Sequence, residues 1–320
     1  RWSRIMKYRR LGESGLKVSQ VSLGGWTTFG DSIQDQDLTK NIIKKAYELG
    51  INFFDIADIY ARGKSEEMMG KVLGDFSRHT LVISSKVFFQ MSDDVNDRGL
   101  SRKHIIESIE KSLKRIGTDY LDIYYCHRYD PETPTEEVVR AMDDLIHQGK
   151  ILYWGTSEWT GAQISTAAGI ARSGNLYAPR VEQPGYSMLR RRKMETDVIP
   201  AVREHGIGLT TFSPLGNGVL TGKYDDGVPE DSRANRDKNL KNKLEGGLAE
   251  KVKKLKPIAD GLGINRAQLA IAWILRHPEV SSVITGATKP AHLESNVKAA
   301  EAELDQSALD AIDELFPVEG

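Results

Sequence analysis

A regular alternation of short apolar runs and amphipathic segments dominates the sequence from about residue 21 onward. The apolar runs are rich in β-branched and aromatic side chains and are mostly apolar on both faces, as strands buried between helices are. They cover residues 21–25, 52–55, 81–86, 120–127, 152–157, 180–183, 208–213 and 282–286. Strands that alternate with helices in this way predict a parallel sheet with the helices outside it.

The segments between the runs carry apolar residues at helical spacing. The clearest helices are predicted over residues 37–49, 101–116, 136–147 and 264–277. Gly50 and Gly117 follow the first two, where a left-handed residue commonly ends a helix, and Ser101 is a predicted N-cap.

Eight such units favour a closed (β/α)₈ TIM barrel over an open doubly wound sheet. No Gly-x-Gly-x-x-Gly follows the first strand, so a Rossmann nucleotide site is unsupported. Segments 7–11 and 16–19 flank Gly-Glu-Ser-Gly and predict a β-hairpin that closes the bottom of the barrel. The polar stretch 223–247 is expected to be either a lid or disordered. Residues 6–320 are interpreted as one domain, and residues 1–5, ahead of a predicted natural start at Met6, as an appended remnant.

Composition excludes several classes of partner. The formal net charge is −1, so no global field would attract nucleic acid. No apolar stretch approaches the roughly 18–20 residues that span a bilayer, which predicts no direct membrane insertion. Cys126 is the single cysteine, so no intramolecular disulfide forms, and a cytoplasmic location is expected.

Polar side chains end consecutive predicted strands, where the active site of a (β/α)₈ barrel lies. Asp55, Lys86 and His127 end strands two, three and four, and Tyr60 follows Asp55 by five residues. The Lys86 ammonium needs a carboxylate partner, and Asp55 is the adjacent one. Lys86 beside Tyr60 is expected to lower the pKa of the phenol, and His127 is expected to orient a carbonyl oxygen. These four residues are therefore predicted to be catalytic and to deliver a proton to a carbonyl oxygen.

Each residue also has a simpler interpretation. Asp55 and Lys86 alone fit a structural ion pair, Tyr60 alone fits packing, and His127 alone fits an ordinary hydrogen-bonded histidine. Their placement at consecutive strand ends favours the joint catalytic interpretation, which requires a cofactor to supply hydride. A Schiff-base aldolase with Lys86 as nucleophile is the other enzymatic hypothesis, and it is disfavoured because Asp55 keeps Lys86 charged.

The segment NFFDIADIYARGKSEEMMGKVL, residues 52–73, resembles the aldo-keto reductase signature, and the likeness extends over the chain from Met6. Within that superfamily, MKYRRLGESGLKVSQVSLGGWTTFG, YWGTSEWT and FSPLGNGVLTGKYDDGVPEDSRA resemble the branch of voltage-gated potassium channel β subunits and their microbial relatives. The resemblance implies NADPH-dependent reduction of aldehydes and ketones by the tetrad Asp55, Tyr60, Lys86 and His127. Channel β subunits carry Asn in place of His127, which favours an enzyme. A regulatory NADPH-binding subunit of a membrane channel remains the alternative.

The resemblance also implies a small-molecule carbonyl substrate, no metal, a possible homotetramer and a set of sites for NADPH and NADP⁺. The implied cofactor contacts are Gly25, Trp26, Asp55, Ser157, Gln183, Phe212, Ser213, Leu215, Gly218, Lys223, Arg233, Gly286, Thr288, Lys289, His292 and Asn296. The basic residues Lys223 and Lys289 favour NADPH over NADH. The candidate walls of the substrate pocket are Trp26, Phe88, Tyr129 and Trp159.

Overall fold

The computed structural model describes residues 6–230, 235 and 238–318. Eight parallel strands close into a barrel in the order β10-β3-β4-β5-β6-β7-β8-β9, and β9 pairs with β10. The barrel strands are β3 (Val21–Gly24), β4 (Phe53–Asp55), β5 (Val82–Val87), β6 (Leu121–Cys126), β7 (Ile151–Ser157), β8 (Val181–Gln183), β9 (Gly208–Thr211) and β10 (Val280–Thr285). The predicted (β/α)₈ barrel is thereby confirmed.

Helices follow the barrel strands and pack on their outer face. Their bounds are α1 (Gln36–Glu48), α2 (Lys64–Leu73), α3 (Arg102–Ile116), α4 (Thr135–His147), α5 (Gly161–Gly174), α6 (Ile199–His205), α7 (Lys238–Lys243), α8 (Ala249–Lys253), α9 (Leu255–Gly261), α10 (Arg266–Leu275), α11 (Pro290–Val297) and α12 (Gln306–Leu315). Short 3-10 and π turns join some of them, including the 3-10 turn Tyr60–Gly63.

The helix ends follow from local chemistry. The Ser101 side chain accepts a hydrogen bond from the His104 amide at 3.1 Å, and Gly117 closes α3 with φ 76°. The predicted helix 264–277 is shorter in the structure. Asn265 and Gln268 form a capping box that starts α10 at Arg266, and the helix ends at Leu275, three residues before a proline.

The N-terminal hairpin consists of β1 (Tyr8–Arg10) and β2 (Lys17–Ser19), which pair antiparallel. Its Leu11 and Val18 are fully buried in a cluster with side chains from inside the barrel. At the turn, Gly12 has φ 55°, and a Cβ there would lie 2.4 Å from the Gly206 carbonyl oxygen. Gly206 lies two residues before β9, so the hairpin closes the N-terminal end of the barrel, as predicted.

Alternation along the strands separates two apolar layers. Tyr125 belongs to the cluster inside the barrel, whereas its neighbours Tyr124 and Cys126 are buried between the strands and the helices. Cys126 is therefore a core residue that faces away from the barrel interior.

The polar stretch 223–247 contains α7 and then a π turn, Leu244–Leu248. Part of it, including Arg233, lies outside the described residues, and its function as a lid stays a prediction. Over the residues that the structure describes, no helix is long and apolar enough to cross a membrane.

Candidate active site

The strand ends bring the predicted tetrad together at the C-terminal mouth of the barrel. Asp55 ends β4, Lys86 is the next-to-last residue of β5, and His127 follows β6 directly. The 3-10 turn after β4 begins at Tyr60. The Tyr60 ring lies close to the Lys86 ammonium, 4.7 Å from its Nζ to the ring centroid. Parallel pairing of neighbouring strands thus places Asp55, Lys86 and His127 side by side, and the turn adds Tyr60.

The Lys86 ammonium is the centre of this group and is fully buried. Its Nζ donates to Asp55 Oδ2 at 2.7 Å, to the Ile56 carbonyl at 2.6 Å and to the Tyr60 hydroxyl at 3.0 Å. The other oxygen of Asp55 accepts from Ser84 at 2.7 Å and from Gln183 Nε2 at 3.0 Å. Every donor of the ammonium and both carboxylate oxygens therefore have partners, which a buried ion pair requires.

The same contacts control ionisation. Burial acts to lower the pKa of Lys86, but Asp55 and Tyr60 outweigh it, so the pKa is raised and the lysine stays charged. This supports the argument against a Schiff-base nucleophile, which must be a free amine.

The expected low pKa of Tyr60 is not found in the protein without ligands. Burial raises the pKa of Tyr60, and the opposing effect of Lys86 is smaller. The expectation was wrong because the sequence identified the cation but gave no measure of how far the phenol is desolvated. Tyr60 is accordingly a neutral phenol that holds its proton at neutral pH.

His127 faces this phenol across the floor of the cleft, with ring centroids 5.8 Å apart. Burial lowers the pKa of His127 well below its usual range, and the charges of Lys86 and Arg128 act in the same direction. The imidazole is therefore neutral, with one nitrogen as donor and one as acceptor. Nδ1 is buried and has no hydrogen-bond partner among the described residues.

A second polar group, which the sequence analysis missed, lies beneath the Tyr60 turn. The Asp58 side chain is 1% exposed, and neither of its carboxylate oxygens has a hydrogen-bond partner within the described part of the chain. Burial, reinforced by the nearby Glu66, raises the pKa of Asp58 to about 8. Glu66 itself accepts from Ser85 at 2.6 Å and from Arg115 at 2.5 Å.

Above the tetrad opens a cleft of about 650 Å³, within the size range of small-molecule and cofactor sites. Most of the predicted cofactor residues line it. They are Gly25, Trp26, Asp55, Ser157, Gln183, Phe212, Ser213, Leu215, Gly218, Gly286, Thr288 and His292. Trp26 and Phe212 meet edge to face with ring centroids 6.4 Å apart. A row of aromatic, hydroxyl and amide groups therefore extends from the tetrad to the loop after β10.

Of the remaining predicted cofactor residues, Lys223, Lys289 and Asn296 do not line the cleft. The Lys223 side chain lies over Gly218, where an added Cβ would be 2.6 Å from its Nζ. Lys289 is exposed and is the N-cap of α11, whereas Asn296 is buried within that helix. Arg233 lies outside the described residues.

Only one of the four residues predicted as walls of the substrate pocket lines the cleft. Trp26 lines the cleft, but Phe88, Tyr129 and Trp159 do not. Trp159 is fully buried and packs edge-on against Tyr129 with centroids 5.0 Å apart. Phe89 takes the position expected of Phe88, because β5 ends at Val87 and strand alternation no longer fixes the next side chains.

The loops around the cleft are conformationally strained. Of the seven residues other than glycine with positive φ in the described chain, six lie in loops that follow barrel strands. These six are Thr27, Ala61, Arg62, Glu158, Ser213 and Asn217. Such conformations cost free energy and cluster at functional sites, which supports this rim as the working end of the barrel.

No group of three or more His, Cys, Asp or Glu side chains that could hold a metal ion occurs within the described ranges. Asp55, Lys86 and Tyr60 form a buried hydrogen-bond network.

The fold and this site are those of a barrel oxidoreductase, and the chain belongs to the aldo/keto reductase family. The model of the aldo/keto reductase family matches residues 20–316. Members of this family generally bind NAD(P)H.

Individual relatives carry another name. The chain is 50% identical over 300 residues to a probable voltage-gated potassium channel subunit beta of Arabidopsis thaliana. The matched region covers 92% of this chain and 91% of the relative. It is 47% identical over 319 residues to a putative voltage-gated potassium channel subunit beta of Schizosaccharomyces pombe, covering 97% of this chain and 93% of the relative. The resemblance drawn from the sequence is confirmed at the level of family and branch.

Proposed function

We propose that this protein reduces aldehydes or ketones to alcohols with NADPH, and that Tyr60 is the general acid. The observation that carries the proposal is the buried network in which Lys86 bonds both Asp55 and the Tyr60 hydroxyl at the floor of an open cleft. A structural ion pair alone would not need to face a cleft of this size.

The cleft residues fit a reduced nicotinamide dinucleotide. Ser157 and Gln183 present a hydroxyl and an amide beside the tetrad, suited to a carboxamide, and Phe212 presents a ring for stacking. Lys289 starts α11, whose N-terminal dipole favours a phosphate group. The basic side chains Lys223 and Lys289 support NADPH over NADH. When bound, the reduced nicotinamide supplies the hydride that reduces the carbonyl carbon.

The chain's own residues manage the proton. Tyr60 gives its hydroxyl proton to the carbonyl oxygen while the carbonyl carbon gains the hydride, so that one C–H bond and one O–H bond form as the π bond of the carbonyl and the phenolic O–H bond break. Lys86 stabilises the phenolate that remains, through the hydrogen bond seen at 3.0 Å. Asp55 keeps Lys86 charged and holds its ammonium in position. The neutral His127 donates a hydrogen bond to the carbonyl oxygen.

The raised pKa of Tyr60 bears on this step. A neutral phenol is the form that can act as an acid, so burial keeps the proton available until a carbonyl oxygen begins to develop negative charge. Lys86 then stabilises the phenolate formed by the transfer more than it stabilises the neutral phenol of the ground state.

The test is NADPH oxidation, followed by its absorbance, with a panel of aldehydes and ketones for the wild type and for Tyr60→Phe. Turnover by the wild type alone supports both the activity and the acid. Equal turnover by the two proteins would reject Tyr60 as proton donor.

A second candidate function is regulatory: NADPH binding without turnover by a subunit that attaches to a membrane channel. The names of the two relatives favour it, whereas the complete tetrad with His127 argues against it. NADPH binding without oxidation over the whole carbonyl panel, together with co-purification with a membrane protein, would establish this function instead. The same relationship underlies our proposal of a homotetramer, which sedimentation can measure.

A further inference from the structure

Arg128 stands at the mouth of the cleft, one residue after His127, and was not among the residues singled out by the sequence analysis. Its half-buried side chain lines the same cavity as Tyr60 and His127. One guanidinium nitrogen donates to the His127 carbonyl, and the guanidinium carbon lies 5.5 Å from the centre of the Phe89 ring. A backbone oxygen and an aromatic face thus fix this cation beside the reacting groups.

Arg128 has no carboxylate within ion-pair distance among the residues that the structure describes. Two arginines in the segment after β8 do have such partners: Arg190 bonds Glu158 at 2.6 Å, and Arg191 bonds Glu195 at 3.0 Å. A guanidinium has five donors in a planar fork, and a half-buried one gains most from a bidentate anion. The hydrogen bond to His127 leaves most of this fork available.

The acidic groups of the cleft do not satisfy this cation. Asp55 is committed to Lys86, Ser84 and Gln183, and Asp31 lies in the loop after β3 with no ion pair to Arg128. The Arg128 charge also acts on the reacting groups themselves. Burial is the larger effect on the pKa values of Tyr60 and His127, but Arg128 contributes to both. Because Arg128 lines the same cleft as Tyr60 and His127, it is placed to contact a molecule held between them.

We propose that Arg128 determines substrate specificity by binding an anionic group, a carboxylate in the first instance, on the carbonyl compound that this site reduces. The inference rests on the proposed reductase function. The substrate class is an aldehyde or ketone whose carbonyl oxygen meets Tyr60 and His127 while its carboxylate meets the Arg128 fork. Phe89 and Trp26 flank the intervening carbon atoms as apolar walls.

The test compares substrates of equal shape and unequal charge. The 2-, 3- and 4-formylbenzoates are each paired with the corresponding formylbenzamide, and kcat/KM is measured with NADPH for the wild type, Arg128→Lys and Arg128→Met. We expect the wild type to prefer at least one benzoate by about tenfold or more, the size of one charge-assisted contact. Arg128→Met should lose this preference mainly through KM, and Arg128→Lys should keep part of it because the charge remains without the fork.

Any effect of Arg128 on Tyr60 or His127 acts on both members of a pair and cancels in their ratio. Lys64→Met is the matched control, because Lys64 is an exposed cation on α2 that does not line the cleft. It should leave the benzoate-to-benzamide ratio unchanged. The dissociation constant of NADPH should be the same in all four proteins, since a weaker constant in Arg128→Met would assign Arg128 to the cofactor and overturn the proposal.

Binding of unreactive probes separates this inference from the reductase activity. Benzoate and benzamide are titrated by calorimetry into the protein saturated with NADP⁺. Tighter binding of benzoate that disappears in Arg128→Met supports the anion site even if no aldehyde turns over, in which case only the reductase proposal fails. Equal binding of benzoate and benzamide by the wild type, or equal turnover of every matched pair, rejects the anion site.

Discussion

The Lys86 ammonium donates a hydrogen bond of 3.0 Å to the Tyr60 hydroxyl oxygen. Its two other bonds, to Asp55 and to the Ile56 carbonyl, use the remaining protons of the ammonium. The direction of this cation is therefore fixed by the end of β4 and does not depend on a substrate being bound. Such preorganised charge is effective at stabilising charge that develops during a reaction.

Tyr60→Phe removes one hydroxyl and leaves the ring in place. We expect kcat to fall by about 10²–10⁴-fold, the usual contribution of a general acid, while the dissociation constant of NADPH changes little. Steady-state NADPH oxidation and a fluorescence titration measure the two quantities. A large loss of NADPH affinity would mean that the phenol supports the cofactor site instead.

Lys86→Met tests whether the charges of Asp55 and Lys86 are energetically coupled in the folded protein. Because Asp55 is only 2% exposed, loss of its partner leaves a buried charge, and we expect the free energy of unfolding to fall by about 3–5 kcal/mol. The double variant Asp55→Asn with Lys86→Met removes both charges and should recover much of that loss, yet remain without turnover. Denaturant unfolding of the wild type, the two single variants and the double variant gives the comparison. A double variant as unstable as the sum of the single ones would show that the two charges are not coupled.

Asp58→Asn should change the pH dependence of stability. The Asp58 pKa rises from an ordinary value of 3.8 to about 8 in the folded protein. Between these pH values the unfolded chain releases a proton that the folded protein keeps, so the free energy of unfolding falls as the pH rises. Asn cannot ionise, and the variant should therefore gain on the order of 2–5 kcal/mol relative to the wild type between pH 4 and pH 8.

Urea unfolding across this pH range measures the gain. Asp93→Asn, a substitution at an exposed aspartate, is the control and should follow the wild type. Parallel curves for Asp58→Asn and the wild type would contradict a protonated Asp58.

Lys289→Met tests the choice of cofactor. Lys289 stands at the start of α11 beside Thr288 and His292, so its loss should weaken NADPH by about tenfold and leave NADH unaffected. Lys71→Met removes an equally exposed cation from α2 as a control. Equal weakening of NADPH and NADH would place Lys289 away from the distinguishing phosphate.

The barrel and the convergence of the tetrad were predictable, because buried parallel strands are continuous apolar runs and their carboxyl ends share one edge. The predictions that failed concern the pKa of Tyr60, which depends on burial, and the wall residue Phe88, whose direction depends on the course of a loop. Desolvation of the Tyr60 phenol outweighs its neighbouring cation, and Phe89 replaces Phe88 once the chain leaves β5. Asp58 and Arg128 were missed because neither ends a strand. Only the packed structure shows that, within its described ranges, the Asp58 carboxylate has no hydrogen-bond partner and Arg128 pairs with no carboxylate.

The hairpin at the N-terminal end of the barrel also affects how this protein can accept substitutions during evolution. Its Leu11 and Val18 hold the strands together at the rim opposite Tyr60 and Arg128, with the cluster inside the barrel between them. Effects of substitutions at well-separated sites without shared partners are usually additive. Natural or laboratory evolution can therefore exchange the substrate-selecting loops at one rim and stabilise the hairpin at the other rim independently. A change of substrate then costs little thermal stability.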